Sequence, residues 1–67
     1  MIITKQDAVE LAKYLMLKKE IKPITESQIE DTFNKAKIEI ESKDYMGTED
    51  SQYGFELDII ENKLRNI

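Results

Sequence analysis

The stretch ITESQIEDTFNKAKIEIESK, residues 24–43, carries the clearest structural signal in the chain. Thr25, followed three residues later by Gln28, is the capping-box pattern that opens an α-helix. The alternation from Lys37 to Glu41 would suit a strand, but it is far shorter than the capped helical pattern that contains it. The apolar residues after the cap recur at helical spacing along one face: Ile29, Phe33, Ala36 and Ile40. A helix is therefore predicted over residues 25–43.

Upstream, residues 4–20 show a second capped and amphipathic pattern. Thr4 and Asp7 form a variant of the capping box. Four apolar residues then fall on one stripe: Ala8, Leu11, Ala12 and Leu15. Pro23 disfavours helical backbone at Lys22, so this helix is predicted to end close to residue 20.

Downstream, residues 51–66 are predicted to form a third helix. Asp50 or Ser51 is positioned to cap it, in which case Gly54 weakens its first turn by about 1 kcal/mol. Alternatively, Gly54 caps a shorter helix that begins at Phe55. The apolar residues of this segment again recur at helical spacing: Tyr53, Leu57, Ile60, Leu64 and Ile67.

Three helices joined by short links indicate an all-α fold, a small three-helix bundle that residues 1–67 form as a single helical domain. In the expected arrangement the first two helices are antiparallel and the third packs across both. The alternative is a helical hairpin whose third helix completes a dimer.

The segment DYMGTEDSQYGF, residues 44–55, joins the second and third helices and holds both glycines of the chain. A calcium loop of the EF-hand type needs oxygen ligands at fixed positions, the third among them, and glycine at the sixth. A loop starting at Asp44 places Met46 third, and one starting at Asp50 places Phe55 sixth. No metal site is therefore predicted, and Gly47 is interpreted as the residue that ends the second helix.

Composition narrows the classes of function. The 67 residues include no cysteine and no histidine, which removes disulfides, thiolate and imidazole metal ligands, and the usual nucleophile–base pairs. No phosphate-binding loop occurs, so neither a cofactor nor a catalytic role is expected. The longest apolar run, Tyr14–Leu17, is too short to cross a bilayer. No secretory signal is evident, and a cytoplasmic location is expected.

The net charge of −4 is unevenly distributed. Residues 1–23 carry five lysines against three acids, whereas residues 44–67 carry two basic residues against six acids. An acidic chain is repelled by nucleic-acid phosphates unless a basic face is segregated from the acids. Even so, a helix, a short link and a capped helix match the outline of a helix-turn-helix, with base-reading residue types at Thr25, Ser27 and Gln28. Nucleic-acid binding is therefore an alternative function.

Protein binding is the function that the remaining residues favour. Each predicted helix carries apolar residues away from its main stripe, and exposed apolar groups in so small a domain indicate a surface for a partner or for self-association. The predicted contacts are six apolar or aromatic residues with four acidic residues as an electrostatic rim. They are Tyr14, Leu17, Ile38, Tyr45, Phe55 and Ile59, with Glu49, Asp50, Glu56 and Asp58.

We therefore expect a non-catalytic regulator or inhibitor that binds another protein. Nine lysines against one arginine, together with ten isoleucines, are typical of AT-rich coding. We therefore expect the chain to be encoded by a phage or mobile element of a low-GC bacterium. Its expected target is a protein of the host. A structural subunit that self-associates, for example as a homodimer, is the second alternative.

Overall fold

The computed structural model describes residues 1–67 and contains three α-helices and no strands. Helix α1 spans Lys5–Leu17, α2 spans Glu26–Glu41 and α3 spans Glu49–Arg65. None of them combines the length and the apolar character needed to span a membrane. The three helices enclose one cluster of buried apolar side chains, so the predicted all-α three-helix bundle is confirmed.

The two predicted capping boxes open α1 and α2. In each box, the hydroxyl oxygen of the N-cap threonine accepts a hydrogen bond at 3.2 Å from the backbone N–H three residues later. The side chains of Asp7 and Gln28 accept in return from the N–H of Thr4 and of Thr25, at 2.9 Å in both cases. Each box satisfies two backbone donors that the helix itself leaves unpaired.

Helix α3 begins earlier than predicted, because Thr48 is its N-cap and neither Asp50 nor Ser51 is. The Thr48 hydroxyl accepts a hydrogen bond from the Ser51 N–H at 3.3 Å. Glu49 and Asp50 therefore lie in the first turn. There their negative charges interact favourably with the positive end of the helix dipole.

Helix α1 ends at Leu17, three residues before the predicted boundary. Lys19 adopts a left-handed backbone conformation with φ of 58°. The Glu20 N–H donates to the Leu15 carbonyl at 2.9 Å, and the Lys19 N–H donates to the Met16 carbonyl at 3.0 Å. These are the two hydrogen bonds of the Schellman motif, in which the left-handed position is usually glycine.

Helix α2 ends at Glu41, and the prediction that Gly47 terminates it was wrong. Ser42 is the C-cap, and its hydroxyl donates a hydrogen bond to the Glu39 carbonyl at 2.6 Å. Gly47 lies further along the connection, and its φ is not positive. A C-terminal glycine cap requires positive φ, so Gly47 has a different role.

The core draws on all three helices and on the segment before α1. The buried apolar residues are Ile3, Ala8, Val9, Ala12, Leu15, Ile29, Ala36, Ile40, Ile59, Ile60 and Leu64. Leu11, Phe33 and Leu57, which the sequence pattern placed in the core, pack at its edge and are only partly buried. Ile59 was predicted to contact a partner, but it is only 9% exposed and belongs to the core.

Helices α2 and α3 form the most extensive helix pair, and α1 packs against both of them. An ion pair of 2.9 Å joins the first residue of α1 to α2, from Lys5 to Glu30. A second ion pair, of 2.6 Å, joins Glu20 after α1 to Arg65 at the end of α3. The start of α1 is thus tied to α2 and its end to α3. The expected arrangement, with α3 across an antiparallel α1–α2 pair, stays a prediction.

Glu56 is completely buried and fastens the N-terminal segment to α3. Its carboxylate accepts hydrogen bonds from the N–H of Ile2 and of Ile3, both at 2.9 Å, and from the Gln52 amide at 2.8 Å. Burial by itself raises the pKa of the Glu56 carboxyl, but these donors outweigh burial and hold the pKa below its ordinary value. The prediction that Glu56 belongs to an exposed acidic rim was therefore wrong.

Replacement of the buried carboxylate, Glu56→Gln, is expected to lower the free energy of unfolding by about 2 kcal/mol near neutral pH, because hydrogen bonds to a charged acceptor are lost. The folded-state pKa lies below the ordinary value of 4.5. The stabilisation is therefore fully present above that pH and is lost as the pH falls through the folded-state pKa. Urea unfolding followed by circular dichroism, at neutral and acid pH, measures both effects.

Asp58→Asn is the matched control, because Asp58 is an exposed carboxylate on the same helix and forms no ion pair. It should leave the free energy of unfolding nearly unchanged at both pH values. Equal stability and equal acid sensitivity of the two variants would contradict the role of the Glu56 carboxylate.

Lys19→Gly is expected to stabilise the fold by about 1 kcal/mol, because glycine adopts the left-handed conformation without the steric cost that Lys19 carries. Lys18→Gly is the control, since Lys18 has an ordinary helical φ of −79° and should lose stability on becoming glycine. Thermal unfolding compares the two. The same direction of change in both variants would refute the assignment.

Candidate functional site

A cleft of about 460 Å³ opens at the end of the bundle where the N-terminus, the end of α2 and the start of α3 meet. We call it the end cleft. Half of its lining is hydrophobic: Met1, Ile40, Tyr45, Met46 and Phe55. Mixed apolar and polar lining of this kind suits a side chain or a small group of side chains better than an extended apolar ligand.

Two aromatic rings form one wall of the end cleft. Tyr45, in the connection after α2, stacks on Phe55 of α3 with ring centroids 4.7 Å apart and an angle of 19° between the ring planes. Gly47 makes this arrangement possible, because a Cβ atom at that position would overlap the Tyr45 ring. The role of Gly47 is therefore close packing inside the connection rather than helix termination.

Met46 projects from the same connection and is 93% exposed, the highest value of any large apolar residue in the chain. It lies between Tyr45, whose ring stacks on Phe55, and Gly47, and its own side chain is exposed to solvent. A thioether side chain adapts its shape to the surface it meets, which is why methionine is common at binding surfaces.

Gln52 and Glu56 supply polar lining on the α3 side. The Glu56 oxygens already accept hydrogen bonds from two backbone N–H groups and from Gln52. No buried side-chain nitrogen or oxygen in the chain lacks a partner. The carboxylate is therefore occupied in holding the structure together and has no spare acceptor directed at a ligand.

Acidic side chains surround the end cleft. Glu41 and Asp44 line it, and Glu49 and Asp50 follow in the first turn of α3. All four are exposed, and none of them forms an ion pair within the chain. The positive groups in the lining are Lys43 and the N-terminal ammonium group of Met1, against the carboxylates of Glu41, Asp44 and Glu56. The lining therefore carries net negative charge, to which Glu49 and Asp50 in the first turn of α3 add.

The structure brings together only part of the predicted contact set. Tyr45, Phe55 and the buried Glu56 line the end cleft. Glu49 and Asp50 do not line it but lie in the first turn of α3, close in sequence to Gln52. Asp58 is exposed on α3 but does not line the cleft.

Three predicted contacts lie on other surfaces. Tyr14 and Leu17 are 53% and 80% exposed on α1, and Ile38 is 72% exposed on α2. The Lys18 ammonium lies 5.7 Å from the centre of the Tyr14 ring, a cation–π contact. These residues remain exposed apolar surface, separate from the end cleft.

Seven of the ten lining residues are absent from the predicted contacts: Met1, Ile40, Glu41, Lys43, Asp44, Met46 and Gln52. Ile40 belongs to the predicted core stripe. The spacing of apolar residues in the sequence predicts that such a residue is buried, but not that one edge of it lines a cleft. Met1 reaches the cleft only because Glu56 binds the adjacent N-terminal backbone. No local signal in the sequence marks such a contact.

A second groove, of about 280 Å³, lies between α2 and the C-terminal residues. Its lining is almost entirely polar, with Ile67 as its one hydrophobic residue. It contains none of the predicted contact residues.

Replacing each of the two glycines by alanine is expected to change the stability of the fold in opposite directions. Gly47→Ala should displace the Tyr45 ring and abolish the stacking on Phe55, which costs about 1 kcal/mol. Gly54→Ala should stabilise α3 by about 1 kcal/mol, because a Cβ atom there meets no other atom within 4 Å. Urea unfolding measures the stabilities, and ring-proton NMR shifts of Tyr45 and Phe55 report the stacking. Unchanged ring shifts in Gly47→Ala would contradict the packing role of Gly47.

No protein-family model, no curated protein and no solved structure matches this chain. The interpretation of its surface therefore rests on its own residues.

Proposed function

We propose that this chain is a non-catalytic module that binds another protein through the end cleft and acts as a small regulator or inhibitor. The observation that carries the proposal is the loop in which Met46 is almost fully exposed beside the stacked rings of Tyr45 and Phe55. Large apolar and aromatic side chains that project from an ordered loop are typical anchors of protein interfaces. A host protein of a bacterium that carries a phage or mobile element is the proposed target.

The acidic residues around the cleft support a partner of particular charge. Glu41, Asp44, Glu49 and Asp50 have no partners within the chain, so their field extends into solvent. Such a field accelerates association with a basic surface and disfavours acidic ones. The proposed target therefore presents an apolar side chain flanked by lysine or arginine.

The buried carboxylate that lines the cleft supports a binding function rather than a catalytic one. Glu56 is the one buried carboxylate, and its hydrogen bonds hold its pKa below the ordinary value. A general acid or base at neutral pH requires a shift in the opposite direction. Glu56 thus favours a structural role within a binding surface.

Nucleic-acid binding is a weaker candidate. Residues 18–25 separate α1 from α2, whereas the turn of a helix-turn-helix contains about 3–4 residues. Glu26 also occupies the first turn of α2, where a recognition helix approaches the phosphates and bases. Neither feature favours docking of α2 in a DNA groove.

The test is affinity capture with the tagged protein from a nuclease-treated lysate of a low-GC bacterium, followed by mass spectrometry. Met46→Glu should weaken capture of the target by about tenfold or more, the effect of losing about 1.4 kcal/mol of binding free energy. Because Met46 is exposed, its replacement should leave the helical circular dichroism unchanged.

Ile38→Glu is the matched control, since Ile38 is similarly exposed but lies on α2 outside the end cleft. It should retain the target. Loss of the target in Ile38→Glu alone would move the contact surface to α2. Capture of nucleic acid alone, seen only when nuclease is omitted, would favour the helix-turn-helix alternative.

A further inference from the structure

The chain has a second exposed apolar surface, and its charge is opposite to that of the end cleft. Tyr14 and Leu17 are exposed at the end of α1, next to the exposed lysines Lys18, Lys19 and Lys22. We call these five residues the basic end.

The lysines of the basic end are free to bind elsewhere. None of them forms an ion pair within the chain. Glu20, the one acid among them in sequence, is paired with Arg65 at 2.6 Å. The basic end is thus a partly apolar surface with net positive charge, and the end cleft is a partly apolar surface with net negative charge.

The two surfaces lie at opposite ends of α3. The Glu20–Arg65 ion pair places the basic end beside the last turn of this helix. The end cleft is lined by Gln52 and Phe55 in its first turns. Ten positions separate Phe55 from Arg65 along the helix, about 15 Å at 1.5 Å per residue. No lysine side chain spans that distance, so the two surfaces cannot meet within one molecule.

We propose that the basic end of one molecule docks in the end cleft of a second copy of this chain. The apolar contact is made by Leu17 and Tyr14 against Met46 and the Tyr45–Phe55 wall. Lys18 and Lys22 face the acidic residues at the mouth of the cleft. Complementary surfaces at different places on one molecule produce a heterologous, head-to-tail contact.

This inference rests on the same cleft as the proposed function and assigns a regulation to it. A second copy and the target protein compete for Met46 and the aromatic wall, so self-association withholds the cleft from the target. The contact is small, and it depends on charges exposed to solvent. It is therefore weak, reversible and sensitive to salt.

The test is sedimentation velocity over a range of protein concentrations, at low and high ionic strength. The wild-type chain should associate as its concentration rises at about 0.01 M salt, where charges act over about 30 Å, and should dissociate at about 1 M, where they act over about 3 Å. A chain that stays monomeric at every concentration and salt, or an association that salt leaves unchanged, would overturn the proposal.

Two charge-reversal variants locate the contact. Lys18→Glu with Lys22→Glu alters the basic end, and Glu41→Lys with Asp44→Lys alters the cleft. Each variant alone should be monomeric at low salt. An equimolar mixture of the two should associate again, because each retains one native surface complementary to a native surface of the other. Failure of the mixture to associate would refute the pairing of these two surfaces.

The control for net charge is Asp31→Lys with Asp58→Lys. These exposed acids line neither surface, and their reversal changes the net charge as much as Glu41→Lys with Asp44→Lys. The control variant should associate like the wild type at low salt. Loss of association in the control would mean that net charge, not the cleft, governs self-association, and would overturn the proposal.

Capture of the target separates this inference from the proposed function. Lys18→Glu with Lys22→Glu leaves the end cleft intact and should capture at least as much target as the wild type. A Met46-dependent target without self-association would refute the inference and leave the function standing. Self-association that the mixed variants restore, without any target, would support the inference and refute the proposed function.

Discussion

The Glu56 carboxylate is the interaction on which the rest of the structure depends. It joins residues more than fifty positions apart, by accepting hydrogen bonds from the N–H of Ile2 and of Ile3. These bonds direct Ile3 into the core and bring the N-terminus to the end of the bundle. Burial of a charge is costly unless its hydrogen bonds are satisfied, and the Gln52 amide completes the set. The same carboxylate thereby helps to shape the end cleft.

Helix caps, hydrogen bonds and ion pairs stabilise the fold around a small core. A chain of 67 residues buries only about 60% of the surface its unfolded form exposes, so individual hydrogen bonds and caps matter more than in a larger domain. Three threonines cap the three helices, and ion pairs tie the ends of α1 to α2 and α3. Lys19 is an exception among these stabilising features, because glycine would adopt the same left-handed conformation with less strain.

Acidic and basic residues are separated from each other in the structure as well as in the sequence. The acidic residues in the first turn of α3 interact favourably with the positive end of the helix dipole. Lys63 and Arg65 in the last turn interact favourably with its negative end. Both ends also carry exposed apolar residues, which a small domain without a partner does not need for stability. The surface that we propose to bind another protein is therefore also the one that we propose to contact a second copy of the chain.

The sequence by itself determined the three helices, the capping boxes at Thr4 and Thr25, and the exposure of Leu17 and Ile38. These features depend on residues a few positions apart, whose spacing in a helix is known in advance. Tertiary structure alone decided that Glu56 and Ile59 are buried and that Tyr45 stacks on Phe55. In the sequence pattern Glu56 is an ordinary helical acid. Its burial follows from backbone donors 53 and 54 residues away, and no local pattern records a contact over that separation.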